Sequence, residues 1–428
     1  MNWAILALFA VLALCFIIRM PVALSIFSAS IVYYLISGPA KLGQVFSVVT
    51  GNMFANYTML AAPLFIFMAN VLNESEVTDK LFAFCNGLLG KLKGGTAQVN
   101  VFISLIFSGM TGSAIADASG IGLMEIEQMK KEGYDAEFSC ALTAASATIG
   151  PIFPPSIPFI IYGMLSGASV GKLFMGGMTP GILLAALLMG YVAIVSKKRN
   201  YPAGIRMTLR QFAGATLRAL PALLTVVILL GGIYTGVCTP TEAGALASAY
   251  ALLISAFVYR TLGWKKLWKI IKKTARNSAT LGLLVASSML MAFIVSYEQI
   301  PKAITEFVMG LTSNKYIFLF VVNIVFLLLG CVLDVGVIQF VFIPMILPLV
   351  QAFHIDLVHF GVMISLNMMV GLITPPFGML LFIVSGIGKT RIKGVIRELL
   401  PMSLIMIALV FVCTYVPGII MWIPNAFG

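Results

Sequence analysis

The sequence predicts an all-α polytopic membrane protein: about ten transmembrane helices plus two oppositely oriented re-entrant helical hairpins, arranged as inverted repeats. Three observations predict it. Hydrophobic residues fill 60% of 428 positions and charged residues 10%, with a mean hydropathy of +1.05. A soluble domain carries roughly 25% charged residues, so lipid must surround most of the chain. Apolar runs of the roughly 20 residues that cross a bilayer recur from end to end. Proline- and glycine-rich interruptions fall at matching places in the two halves.

Full spans are expected at about 3–18, 22–37, 57–73, 136–168, 178–196, 219–236, 241–259, 277–297, 357–385 and 401–424. The first run is followed by Arg19 with no basic residue ahead of it, so it is read as a retained helix and not a cleaved leader. Regions 96–130 and 315–350 are apolar but broken by polar and glycine residues in their middles, and each reads as a hairpin. The formal charge of +12 sits in short loops: Lys197, Lys198 and Arg199, then Lys265, Lys266, Lys269, Lys272, Lys273 and Arg276, then Lys389, Arg391, Lys393 and Arg397. That is positive-inside patterning against an anionic leaflet, and it argues against nucleic acid as a partner. With loops 197–218 and 260–276 in the cytoplasm, both termini fall in the periplasm of a bacterial inner-membrane protein. The first hairpin then opens from the cytoplasm and the second from the periplasm.

The inverted pair has support in the residues. Gly150–Gly163 resembles Gly371–Gly386, with Gly150 and Gly371 offset by 221 positions. Asp117 and Asp334 are 217 apart, and Pro21 and Pro240 are 219 apart. The repeats are therefore 1–214, with hairpin 96–130 and broken helix 136–168, and 215–428, with hairpin 315–350 and broken helix 357–385. Internal symmetry with interrupted helices at matching positions is the sequence mark of a transporter's binding site.

The chemistry follows from the breaks. Pro151, Pro154, Pro155 and Pro158 lack N–H donors and clash with preceding carbonyls, as do Pro375 and Pro376. Peptide oxygens freed at membrane depth need partners, and a small hard cation is one. Half-helices restarting after each break aim positive ends at the same neighbourhood, which suits an anion. The run Ser108–Asp117 adds hydroxyls and a carboxylate, and Leu329–Gly336 repeats this more sparsely. An intramembrane acid suggests function, although Asp117 and Asp334 would also serve as helix caps. Glu242, after Thr241, reads as a cap. No arginine or lysine falls in either hairpin tip or broken helix. Six cysteines without CxxC spacing, and His354 and His359 without a ligand motif, indicate neither disulfides nor a His/Cys metal site.

The runs Ser108–Asp117, Pro154–Phe159, Thr239–Gly244 and Thr374–Gly378, in this order, resemble the large membrane subunit of tripartite ATP-independent periplasmic (TRAP) transporters over essentially the whole chain. The resemblance implies an elevator mechanism with transport and scaffold domains, driven by sodium and without an organic cofactor. It implies import of an organic acid such as a C4-dicarboxylate or a sugar acid like sialic acid. Its partners would be a periplasmic substrate-binding protein and a small four-helix membrane subunit. One sodium would lie among Ser108, Ser113, Gly150, Phe153 and Pro155, and a second among Gly330, Gly371, Thr374 and Phe377. Thr111, Asp117, Ser156 and Asp334 would line the substrate pocket. The hairpins and broken helices would move against a scaffold of the other spans, with the amphipathic segment 263–276 at the cytoplasmic interface. The competing readings are a self-sufficient sodium- or proton-coupled carrier of related fold, an intramembrane enzyme, and a purely structural subunit. The enzyme reading lacks HExxH, GxSxG or GxGD residues.

Overall fold

Lipid leaves every backbone amide to be satisfied within the chain, and helix is the local solution. The computed structural model describes residues 3–38, 43, 45, 47–49, 51, 57–75, 77–204 and 207–427. Among these the one extended pairing is a bridge between Lys93 and Ala203. Helices α1 (Trp3–Ile17) and α2 (Val22–Ser37) are followed by a 3-10 turn at Tyr57–Leu60, then α3 (Ala61–Glu74) and α4 (Val77–Leu89). The first hairpin is α5 (Gly95–Thr111) with the kinked return α6 (Ala114–Ser119) and α7 (Ile121–Lys131). The first broken helix is α8 (Ala136–Ala147) and α9 (Ile157–Ser166), and α10 (Val170–Lys198) follows. Next come α11 (Leu209–Tyr234), α12 (Pro240–Leu253, prolonged by a π-turn at Ile254–Val258), α13 (Trp264–Tyr297) and α14 (Ile300–Leu311). The second hairpin is α15 (Lys315–Val332) and α16 (Val335–Ala352), the second broken helix α17 (Leu357–Ile373) and α18 (Met379–Gly388), and the chain closes with α19 (Ile392–Tyr415) and α20 (Gly418–Phe427).

Seven helices among the described residues are long and apolar enough to cross a membrane: α10, α11, α12 with its π-turn, α13, α15, α16 and α19. Ten spans are expected from the sequence, and the difference has physical causes. The helices α1 and α2 stop at 15 and 16 residues, and the two broken helices are divided at their prolines. The expected span 57–73 loses its first turn to the 3-10 segment, whereas 401–424, though divided before Gly418, still supplies α19. Each arm of the second hairpin has 18 residues, a rise of about 27 Å, so length alone does not distinguish a re-entrant arm from a crossing one.

Segment 263–276 continues into the span expected at 277–297 as one 34-residue helix, α13. The spans expected at 178–196 and 401–424 pack against the hairpins and broken helices. The first, α10, packs on α5 and α17, and α19 packs on α8 and α17. Arg199, just past α10, fastens this group by pairing with Asp135 at 3.0 Å and Glu398 at 2.8 Å. A second group, α1, α2, α3, α11, α12 and α13, is in mutual contact as α1–α2–α13–α3–α12–α11. Two short connectors, α4 and α14, lead from it into the hairpins, α4 against α11 and α14 against α16.

Candidate functional site

At the first break the helix stops after Ala147, and Pro151, Pro154 and Pro155 prevent its return until Ser156 supplies a cap. The Ser156 hydroxyl accepts from the Phe159 N–H at 3.3 Å and donates to the Pro151 carbonyl. The Pro154–Pro155 peptide is cis. Facing it is the tip of the first hairpin, where Gly112 takes a left-handed φ of 60° and Ser113 caps α6 by accepting from the Ala116 N–H at 3.4 Å. Tip and break touch backbone to backbone: a Cβ on Gly112 would lie 2.5 Å from the Pro155 carbonyl oxygen. A Cβ on Gly150 would lie 2.5 Å from Asp117 Oδ2. The carbonyls of Gly150, Phe153 and Pro155 accept no hydrogen bond among the described residues. Thr111 donates to Asp117 Oδ1, while Asp117 Oδ2 is buried with no partner among the described residues. Ser108 is buried, its hydroxyl turned to the Leu105 carbonyl, and Phe153 lies against Gly181.

The second break repeats the contact with other residues. A Cβ on Gly371 would lie 2.6 Å from Gly330 Cα, and the Gly378 N–H donates to the Cys331 carbonyl at 3.3 Å. Thr374 turns the chain, its N–H on the Gly371 carbonyl at 3.0 Å and its hydroxyl on the Val370 carbonyl at 2.6 Å. Pro375–Pro376 is cis, and the Phe377 side chain is 55% exposed. Asp334 caps α16, accepting from the Gly336 N–H at 2.9 Å.

Both tips line one cleft of about 900 Å³. Its walls are Thr111–Ala116, Pro151, Ile157 and Pro158 of the first tip and break, Asp334–Gly336 and Gln339 of the second hairpin, and residues of α3 and α13. Thus Thr111, Ser113 and Asp334 reach the cleft. Asp117 and Ser156, also expected there, are buried and do not line it. Of the two acids whose capping stood open, Asp334 caps its helix, whereas Ser113 and not Asp117 caps α6. Glu242 forms a capping box with Thr239, as expected.

Sequence reading alone missed the polar clamps that hold each hairpin to its broken helix. In the first, Asn100 donates to Glu125 at 2.9 Å and Thr143 at 2.8 Å and accepts from the Ser146 hydroxyl at 2.7 Å. In the second, Asn367 donates to Asn323 Oδ1 at 2.7 Å, and Asn323 donates to Thr414 at 3.0 Å. Asn100 and Asn323 are 223 positions apart, Ser146 and Asn367 221, close to the offset of the other landmarks. That spacing is the signal that could have found them. Cross-links also join the two hairpin–break pairs: Gln339 donates to the Pro158 carbonyl at 3.1 Å, Tyr162 to the Leu357 carbonyl at 2.8 Å and Lys130 to the Gly388 carbonyl at 3.0 Å.

The donor set is peptide, hydroxyl and carboxylate oxygen. Among the described residues no group of histidine, cysteine, aspartate or glutamate could hold a metal ion, and the six cysteines are free. His359 shares a ring nitrogen with the Cys413 carbonyl at 3.0 Å. Oxygen-only ligation is what a hard cation takes.

Comparison with known proteins agrees with this architecture. Residues 9–419 match the family model described as the tripartite ATP-independent periplasmic transporter, DctM component. The chain is 35% identical over 408 residues to the sialic acid TRAP transporter large permease protein SiaM of Vibrio cholerae, covering 95% of each chain. It is 34% identical to the C4-dicarboxylate TRAP transporter large permease protein DctM of Pseudomonas aeruginosa, covering 87% of each. In fold it is similar to the YdaH transporter of Alcanivorax borkumensis, with a TM-score of 0.64 at 15% identity over 91% of this chain and 90% of that one. The described helices, the paired breaks and the family match converge: this chain belongs to the large membrane permeases of TRAP transporters, multi-pass inner-membrane proteins that transport and are not enzymes.

Proposed function

We propose that this permease imports an organic acid anion with sodium, taking it from a periplasmic substrate-binding protein and working with a small four-helix membrane subunit. The carrying observation is the doubled contact of hairpin tip and helix break, Gly112 on Pro155 and Gly330 on Gly371, beside one cleft. Relatives named for sialic acid and C4-dicarboxylates support an organic acid. The Haemophilus influenzae sialic acid permease SiaT matches 95% of this chain but only 66% of its own length, so that relative carries sequence outside the matched region. This supports a membrane partner.

In this reading sodium at the first site is held by Ser108 and Ser113 and by the carbonyls of Gly150, Phe153 and Pro155. At the second it is held by Gly330, Gly371, Thr374 and Phe377, the last through its carbonyl. Each ion bridges a tip to its break and so fixes the wall that the anion meets. The starts of α9 and α16 add positive half-helix ends to that wall. The chain is read as two inverted repeats, 1–214 and 215–428, and the paired offsets of Asp117 with Asp334 and of Asn100 with Asn323 support it. The cross-links Gln339–Pro158 and Lys130–Gly388 favour both halves moving as one body in an elevator. That body would slide along α3 and α13.

The test is uptake into proteoliposomes holding the full membrane complex and supplied with its binding protein. An inward sodium gradient is expected to drive accumulation of the labelled acid. Uptake indifferent to sodium rejects the coupling, and uptake by this chain alone rejects the tripartite assembly.

A further inference from the structure

The cleft wall carries a cation on the scaffold side, on a helix read from sequence only as membrane-surface charge. Residues Lys273, Asn277, Thr280 and Leu284 of α13 line the cleft. They follow the spacing i, i+4, i+7, i+11, which is one helix face. Neighbouring Thr274 accepts from Asn70 of α3 at 3.0 Å in a buried hydrogen bond, which fixes the rotation of α13. Lys269, one turn earlier on this face, is neutralised by Glu74 at 3.0 Å. Lys272 lies about 100° away around the helix, with its ammonium 5.4 Å from the Trp268 ring. Lys273 is the basic residue lining the cleft, and it forms no ion pair among the described residues.

The remaining cleft charges define what this ammonium is for. Glu74 is engaged by Lys269, and Asp334 is committed to the α16 N-terminus. Asp79 lies exposed in the first turn of α4. The hairpin and break walls offer hydroxyls and peptide groups but no basic side chain. An anion in this cleft therefore has one full positive charge available from the protein, and it stands on the scaffold.

We propose that Lys273 is the carboxylate-recognising residue of the permease, drawing an organic anion across the cleft from the hairpin wall to the scaffold wall. This rests on the organic-acid reading above. A compact ammonium on a flexible stem suits a transient role, since it makes a point contact and not a bidentate grip.

Two measurements on the full complex test it. The first uses labelled N-acetylneuraminate and succinate as probes in sodium-driven uptake. Lys273→Gln is expected to cut uptake of the transported probe about tenfold, Lys273→Arg to recover at least a third of it, and Lys272→Gln to stay within twofold. Equal effects of Lys273→Gln and Lys272→Gln overturn the proposal. The second needs no substrate. An Asn277→Cys reporter, one turn from Lys273, is labelled with anionic and cationic methanethiosulfonates in a Cys238→Ser background. The ratio of anionic to cationic rates is expected to fall threefold or more when Lys273→Gln is added, and to hold with Lys272→Gln, because the field of one charge at this range is only partly screened. An unchanged ratio, or no labelling from water, overturns the assignment. Failure of the wild-type complex to take up either probe counts against the organic-acid reading, while the reporter still judges Lys273.

Discussion

The two helix breaks solve the same backbone problem in opposite surroundings. The first, Thr148–Ser156, is buried almost throughout and re-enters helix through a serine cap. The second exposes Pro375, Pro376 and Phe377 and restarts at Gly378, with φ 42° and no side-chain cap. Their clamps differ too. The first contains a buried carboxylate, Glu125, whose Oε1 has no partner among the described residues, whereas the second is built of amides and a hydroxyl and leaves only an amide oxygen, Asn367 Oδ1, without one. A buried carboxylate is costlier to leave unmatched than an amide, so the first pair should be intolerant and rigid and the second more forgiving at its surface.

The sharpest way to break this comparison lies at the shared feature, the glycine contacts. Gly112→Ala and Gly371→Ala each put a methyl group where backbone already stands. Each is expected to lower sodium-driven uptake about 100-fold, the scale of an ångström-sized misplacement. Gly386→Ala, with nothing within 4 Å of its Cβ position, should stay within twofold. Uptake near wild type for Gly371→Ala would deny that the second contact is needed.

The clamps give the next effect. Asn100→Leu leaves Glu125 without its donor in a buried site and is expected to cost about 3 kcal/mol, against about 1–2 kcal/mol for Asn323→Leu, which orphans only an amide. Thermal unfolding of the purified protein in detergent measures both, and equal shifts would erase the asymmetry. Smaller still is Ser156→Ala, which removes the cap of α9 for about 1 kcal/mol, read by the same melts. Smallest is Phe377→Ala: its exposed side chain should matter less than twofold in uptake if only its carbonyl serves. A large loss there would reassign that residue.

The breaks were legible in the sequence because proline acts locally: Pro151–Pro158 and Pro375–Pro376 cannot continue a helix in any context. The hairpin tips were legible for the same reason, through Gly112 and Asp334. Residues whose role depends on which faces meet were not. Glu125 lies near Lys130 and Lys131 at a hairpin's end, and nothing in its own stretch marks it out until α5 and α8 close over it. Lys273 is one of six basic residues within a dozen positions, and only the rotation of α13 separates it from the rest. Asp117 and Ser156 read as pocket residues by chemistry, yet both are buried and do not line the cleft.

The length of α13 has a consequence of its own. Its 34 residues rise about 51 Å, while the hydrocarbon slab is about 30 Å thick. The overhang is the stretch from Trp264 to Arg276 that carries the basic residues. Such a helix works as a depth gauge: its oily length finds its own level, its charged turns ride among the headgroups, and the height of Lys273 follows the thickness of the surrounding lipid. On the proposed role of Lys273, acyl-chain length then sets the level at which that ammonium meets the anion.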